Sequence, residues 1–359
     1  MNRCTVCVMP ATRPDVPFVD GICQACRNYQ ARPEIDWDAR KFQLLELLER
    51  HHGRCIVPSS GGKDSTYQVM TLLELGASVT VVTAATCYLT EIGRRNIDNL
   101  SRHARTIEVA PNRTVRAKLN KLGQELVGDI SWPEHVAIFT IPFQVASDTG
   151  QTLMFYGENP QNQYGGPHGT EAAHQLTQRW RSEFGGFLGL RPNDLIGMEG
   201  IRAVDMDDYR WPPRDAALPE AHFLGQYIPW DSHQNAAVAI KAGMQYQKPT
   251  RANWWEWENL DGAAVLLHDY FGFLKYGYGR GCAQISVDVR YGRIDRAAAL
   301  EWVRTNDGIL SMDYAGVSLD DLLARMQVGR DWLEQQVRQW VNADLFDLDG
   351  PLPRLKDFQ

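Results

Sequence analysis

The stretch Cys55-Ile56-Val57-Pro58-Ser59-Ser60-Gly61-Gly62-Lys63-Asp64-Ser65-Thr66-Tyr67-Gln68-Val69-Met70 runs from an apolar strand, through a turn built on two glycines, into a helical run. That order of parts makes an anion site. Gly61 and Gly62 lack side chains, so successive N–H groups can close on phosphate oxygens, and the following helix aims its positive N-terminal end at the same place. Lys63 adds a positive charge on a flexible stem. The spacing is not that of a Walker A loop, which would need Gly at Val57 and Ser or Thr at Asp64. Ser60, Gly61, Gly62, Lys63, Asp64 and Ser65 are thus the expected phosphate contacts, against the plainer alternative of a Gly-rich turn before an ordinary helix.

Outward from the loop, apolar runs alternate with helical stripes. A helix is expected from Trp37 to His52, a strand from Arg54 to Pro58, the loop helix from Lys63 to Leu75, and a second strand from Ser78 to Ala84. A helix from Glu91 to His103, a strand from Thr106 to Val109, helices within Arg113–Leu126 and Val136–Ser147, and a strand from Thr152 to Tyr156 follow. This rhythm predicts an α/β fold with a doubly wound parallel sheet, in which ligands sit beyond the carboxyl ends of the strands. Two post-strand segments then become candidates. Thr90-Glu91-Ile92-Gly93-Arg94-Arg95-Asn96 offers Glu91 and Asn96 to a substrate, although Thr90 and Glu91 also read as a helix cap and its acidic first turn. Tyr156-Gly157-Glu158-Asn159-Pro160 offers Glu158 and Asn159 to Mg²⁺, ribose or an acceptor group, against the reading of a surface turn.

Cys4-x2-Cys7 and Cys23-x2-Cys26 stand fifteen residues apart, the spacing of a tetrahedral four-cysteine Zn²⁺ site. Pro10, Pro14, Pro17 and Asp20-Gly21 lie between the pairs, so residues 1–36 have almost no apolar core and would need the metal to hold a zinc knuckle or ribbon. Disulfides are the alternative. An apolar signal region is missing at the N-terminus and no run approaches the ~18 to 20 apolar residues of a membrane span, so a cytoplasmic setting that keeps thiols reduced is expected, with no membrane partner.

The 359 residues are 44% hydrophobic and 23% charged with a net charge of -7, a balance that suits a globular enzyme acting on a small molecule. No Lys/Arg-rich run offers a phosphate track, so nucleic acid is an unlikely partner. Residues 37–231 are expected to form the nucleotide domain, with 160–225 as a lid or insertion, and 232–359 a helical substrate-binding region. Helices are expected there over Ser232–Ala242, His268–Tyr276, Ile294–Thr305, Leu319–Met326 and Asp331–Val341. Aromatics gather between Trp254 and Tyr278, as a sugar-stacking wall or as core. Lys275 and Arg280 are the expected contacts to a substrate phosphate or carboxylate, or else solvated charges.

The Ser-Gly-Gly-Lys-Asp-Ser loop resembles the PP-loop of ATP pyrophosphatases (adenine nucleotide alpha hydrolase-like fold), which open ATP between its α and β phosphates. Together with the paired cysteines, Thr90 to Asn96, and Tyr156 to Pro160 with the trailing Tyr164-Gly165-Gly166, it resembles the N-acetyl sugar amidotransferase family of bacterial surface-polysaccharide (LPS O-antigen) biosynthesis. Gly225 to Asp231, Trp257 to Asp261 and Leu274 to Arg280 extend the resemblance over nearly the whole chain, while Gly281-Cys282-Ala283-Gln284 departs from the Thr-Asp expected after the Gly/Arg-rich stretch.

The resemblance implies an ATP-dependent, AMP-forming carbon–nitrogen ligase that turns the acetamido group of an activated sugar into an acetamidino group. The amide oxygen would attack the α-phosphorus, releasing pyrophosphate, and ammonia would displace AMP from the O-adenylyl imidate. Lys63, Asp64 and Glu158 are the expected catalytic residues, with Mg²⁺ on the phosphates. The chain has no spare length for a fused glutaminase, so a separate glutaminase subunit is the expected ammonia source. Two alternatives stand beside this. A tRNA-thiolating PP-loop enzyme would use Cys55, Cys87 or Cys282 as sulfur carriers, and a non-catalytic ATP- and zinc-binding scaffold would use neither chemistry.

Overall fold

The computed structural model describes residues 2–356 apart from 15, 87, 159–163, 165–174, 178–179, 181–185, 213–216, 249–251 and 351. Its N-terminal segment is the antiparallel hairpin β1 (Phe18–Val19) and β2 (Ile22–Cys23) followed by helix α1 (Gln24–Gln30). Helix α2 (Trp37–Arg50) starts where the Asp36 carboxylate accepts the Ala39 N–H at 2.9 Å, and it leads into the sheet.

Strands β3 (Arg54–Pro58), β4 (Ser78–Ala84), β5 (Arg105–Val109), β6 (Leu153–Tyr156) and β7 (Glu220–Phe223) form one parallel sheet in the order β5-β4-β3-β6-β7. Alternate residues of each strand enter opposite cores, as a sheet covered on both faces requires. Ile56, Val82, Met154 and Tyr156 face α5 (Arg113–Val127) and α6 (Trp132–Thr149), after α3 (Lys63–Glu74) and α4 (Glu91–Leu100) in the chain. Cys55, Val57, Val81 and Phe155 face α2 and α3. The sheet grows one way from β3 through β4 and the other way through β6, so the loops after β3 and β6 diverge and leave a crevice between them.

The C-terminal third is helical. It holds α7 (Ser232–Lys241), α8 (Val265–Tyr276), α9 (Arg280–Arg290), α10 (Arg296–Asn306), α11 (Leu319–Arg325) and α12 (Arg330–Trp340). Two small hairpins, β8 (Asp313–Tyr314) with β9 (Val317–Ser318) and β10 (Phe346–Asp347) with β11 (Arg354–Leu355), complete it. A core around Leu267, Phe271, Leu323 and Phe346 ties α8, α11 and the last hairpin together. Helix α7 packs along α3 rather than with this core, and its Asn235 amide donates to the Asp64 carboxylate at 2.8 Å.

Three features depart from the expected elements. Strand β7 lies inside the span read as a lid, and its described neighbours Leu195, Met206 and Tyr209 pack in the sheet's core. The residues 220–223, Glu-Ala-His-Phe, lack the β-branched content that marks a strand, so pairing with β6 decides their conformation. Helix α6 begins at Trp132, not Val136, because Pro133 in the first turn starts a helix without losing a bond. Helix α9 was hidden by the glycines around Arg280, one of which, Gly279, is its N-terminal flank. Truncating Phe155, fully buried on the interior strand β6, to alanine is expected to lower the unfolding free energy by ~3–5 kcal/mol in denaturant titration.

Candidate active site

Strand β3 runs directly into the glycine loop, where the Ser59 N–H extends the ladder to the Val82 carbonyl at 2.9 Å. The loop then turns sharply. Gly61 has φ +82°, and a Cβ there would stand 2.8 Å from the Ile97 nitrogen and 2.9 Å from the Asn96 carbonyl carbon, so the turn is pressed against α4. Only glycine fits both demands. The Ser59 hydroxyl holds the turn from inside, accepting the Gly61 N–H at 2.9 Å and donating to the Ser65 hydroxyl at 2.7 Å. Gly62 precedes α3 without any side-chain cap, which leaves the helix's first N–H groups open to a ligand.

The cleft over this loop has a volume of about 520 Å³ and is lined by the ends of β3, β4 and β6, by Tyr164, and by residues 257–261 from the C-terminal third. Lys63, 4% exposed, lies at its floor and donates to Asp64 at 2.7 Å and to Glu258. Burial works to lower the Lys63 ammonium, but the carboxylates of Asp64 and Glu258 hold it above its ordinary value. Glu158, after β6, shows the opposite balance. Burial, reinforced by the charge of Asp64, pushes its carboxyl up to about 8. Burial likewise raises Asp261, whose neighbour Ser60 bonds to it, and the Tyr164 phenol. The segment 260–263 is stitched to the loop after β4, with the Thr90 N–H on the Asp261 carbonyl at 3.0 Å and the Ala263 N–H on the Tyr88 carbonyl at 2.8 Å. Gly93 permits this, since a Cβ would stand 2.7 Å from the Asp261 Cα.

The cleft therefore gathers Ser60 to Ser65, Glu158, Asn96 and Arg280 from the residues singled out in the sequence. Asn96 spends its side chain on the backbone of Gln245, donating at 3.0 Å and accepting at 2.7 Å, and so clamps α4 to the chain after α7. Arg280 is held by Asp269 at 3.2 Å at the cleft's far side. Glu91 is not in the cleft: its carboxylate is 92% exposed, 3.8 Å from Arg95, in the first turn of α4 beneath the Thr90 cap. Lys275 also lies outside, donating to the Gly128 carbonyl at 2.8 Å and packing toward Trp340. Asn159 and Cys87 fall outside the described residues. Of the aromatics, Trp255, Tyr270 and Phe271 are core, whereas Trp257 lines the cleft and Tyr276 and Tyr278 line a second cavity. Glu258 escaped notice because its partner stands 195 residues earlier, a distance no local pattern spans. Asp64 and Glu258 bring two carboxylates to the glycine loop, hard oxygen donors of the kind that would suit Mg²⁺.

The four cysteines are free thiols whose sulfurs converge, buried, within 4.8 Å of one another. Cys7 and Cys23 sulfurs stand 3.7 Å apart, matching the edge of ~3.8 Å of a tetrahedron with ~2.3 Å zinc–sulfur bonds. The Cys4 sulfur accepts the N–H groups of Cys7 at 3.5 Å and Cys23 at 3.3 Å, as a thiolate ligand would. The set fits Zn²⁺. Arg296 of α10 donates to the Cys4 and Cys7 carbonyls at 2.9 Å and so fastens the segment to the C-terminal helices. Among the described residues no helix is long and apolar enough to cross a membrane.

Residues 246–357 match the family model described as LPS biosynthesis protein WbpG-like, C-terminal domain. Over these residues the resemblance to a family of lipopolysaccharide biosynthesis holds. This WbpG-like region supplies Trp257, Glu258, Asp261 and Arg280 to the cleft, so it completes the site that the glycine loop begins. Among solved structures, the NMN synthetase of Francisella tularensis aligns over 78% of this chain and 99% of its own, at 12% identity and a TM-score of 0.37. No curated protein matches the chain.

Two outcomes are expected of the site. Metal analysis is expected to find one zinc per chain in the parent protein and none in Cys26→Ser, which should also open residues 1–36 to limited proteolysis and lower the melting temperature by several degrees. Folded Glu158 releases its proton near 8 and the unfolded chain's glutamate near 4.5, so between these values the folded state holds the extra proton and stability falls as pH rises. Glu158→Gln removes that slope, so melting curves should show the variant gaining on the parent from pH 5 to pH 8.

Proposed function

We propose that the protein is an ATP-dependent amidotransferase that converts the acetamido group of an activated sugar into an acetamidino group, releasing AMP and pyrophosphate. What supports this reading above all is the glycine loop at the sheet's crevice, closed over by the WbpG-like region of a lipopolysaccharide-biosynthesis family. An amide is a poor electrophile, and joining its oxygen to the α-phosphorus turns that oxygen into part of a good leaving group. Lys63 and the N–H groups at the start of α3 would meet the charge that grows on the departing pyrophosphate. Asp64 and Glu258 would hold Mg²⁺, which spreads the same charge. Glu158, with its carboxyl at about 8, is matched to take the amide N–H proton as the oxygen attacks. Ammonia then adds to the imidate carbon and AMP leaves with the former amide oxygen.

The nitrogen would come from a separate glutaminase subunit. Cys55 and Cys282 are buried, and burial pushes each thiol up to about 12, so neither suits a glutaminase nucleophile or the sulfur carrier of a thiolating enzyme. The test is exchange of labelled pyrophosphate into ATP, dependent on a panel of free and nucleotide-linked acetamido sugars. Exchange is expected with one class of sugar, and Lys63→Ala should lower it roughly a hundredfold to a thousandfold. Formation of ADP, or exchange that responds to tRNA and to none of the sugars, would overturn the reading.

A further inference from the structure

A second chamber of about 320 Å³ opens beyond the nucleotide cleft, and the two share Tyr164 and Arg280 as their common wall. His268 of α8 lines it, with Tyr276, Tyr278 and Asp269. Behind His268 stands a carboxylate with an unusual task. Asp129, 5% exposed, accepts from the His268 Nδ1 at 3.0 Å through one oxygen and from the His135 Nδ1 at 2.8 Å through the other, while the Ser131 N–H donates to it at 2.9 Å. Burial works to raise the Asp129 carboxyl, but the two imidazoles hold it well below the usual carboxylate range, so it is ionised and can only accept. Both rings must then carry their hydrogen on Nδ1, and a neutral ring presents its lone pair at Nε2. Among the described residues neither Nε2 has a hydrogen-bond partner.

A buried charge spent on fixing a tautomer suits a proton acceptor, and with the amide proton assigned to Glu158 the step left for it is the freeing of the nitrogen nucleophile's lone pair. We infer that the Nε2 of His268 accepts a proton from ammonium entering through the second chamber, so that ammonia reaches the adenylated carbon with its lone pair free; this rests on the amidotransferase reading above. One N–H bond of ammonium breaks, the proton joins Nε2, and the imidazolium returns it to water. His135, ring centroid 5.1 Å away at a steep angle, is a positioning residue that shares the carboxylate. The charges around His268 come from every side: Asp129 and His135 from the α6 end, Asp269 and Lys275 on α8, Arg280 on α9, and Arg13 of the N-terminal segment, which lines the same chamber and is the cation an incoming ammonium must pass. Arg280 is paired with Asp269, and burial lowers the Lys275 ammonium, which limits their opposition to an incoming cation.

The experiment compares the full-length parent with His268→Asn and Asp129→Asn, following sugar-dependent pyrophosphate exchange without nitrogen and amidine formation against ammonium concentration. In His268→Asn, ammonium-dependent turnover at neutral pH is expected to fall about a hundredfold, far more than exchange does. The deficit should narrow as rising pH supplies free ammonia, which a merely structural role would not produce. Asp129→Asn should show the same pattern, weaker. Equal loss in both assays, an unchanged ammonium response, a deficit that pH does not move, or a bound transition metal that His268→Asn releases would overturn the inference. A parent protein lacking sugar-dependent exchange would instead remove the adenylation reading itself, and this step with it.

Discussion

The site depends on one buried charge. The Lys63 ammonium sits at the floor of the cleft between Asp64, its neighbour on α3, and Glu258, from the C-terminal third. A lone ammonium there would lose its proton or pull the loop open, since desolvation disfavours it; two carboxylates reverse that balance. The same contact joins the chain's halves, beside the backbone bonds that tie residues 260–263 to the loop after β4. In the proposed reaction, phosphate oxygens of ATP would take over the role of these carboxylates on Lys63.

That arrangement divides the labour between the two parts of the chain. The sheet supplies the phosphate end, through the Gly61 turn and the start of α3, and the WbpG-like region supplies the opposite wall and the second chamber. Under the proposed reaction a water-sensitive adenylate would form where the two walls meet. The cysteine segment stands apart from this chemistry. Its tie is through Arg296 to α10 and through Val8 into the core of α9 and α10, so its metal would shape the helices that carry Arg280.

Much of this was legible in the sequence wherever local physics decides the outcome. The loop, the strands β3 to β6 and the paired cysteines announce themselves, because glycine turns, double-sided burial and thiolate spacing are local constraints. Contacts made across the fold were not legible. Nothing around Glu258 foretells Lys63, nothing in residues 220–223 foretells a strand, and Asp129 gives no sign that it will orient His135 and His268. Glu91 and Lys275 err in the other direction. Their chemistry suits a substrate, but one stands exposed in the first turn of α4 beside Arg95 and the other clasps the Gly128 carbonyl.

The central claim is that an amide oxygen, made a leaving group by the α-phosphorus, departs with AMP. It is tested most directly by supplying an acetamido sugar whose carbonyl carries heavy oxygen, with ATP and ammonium, and reading the products by mass spectrometry. The label should leave the sugar and appear in AMP, one atom per amidine formed. Label in inorganic phosphate or in water, with unlabelled AMP, would contradict it.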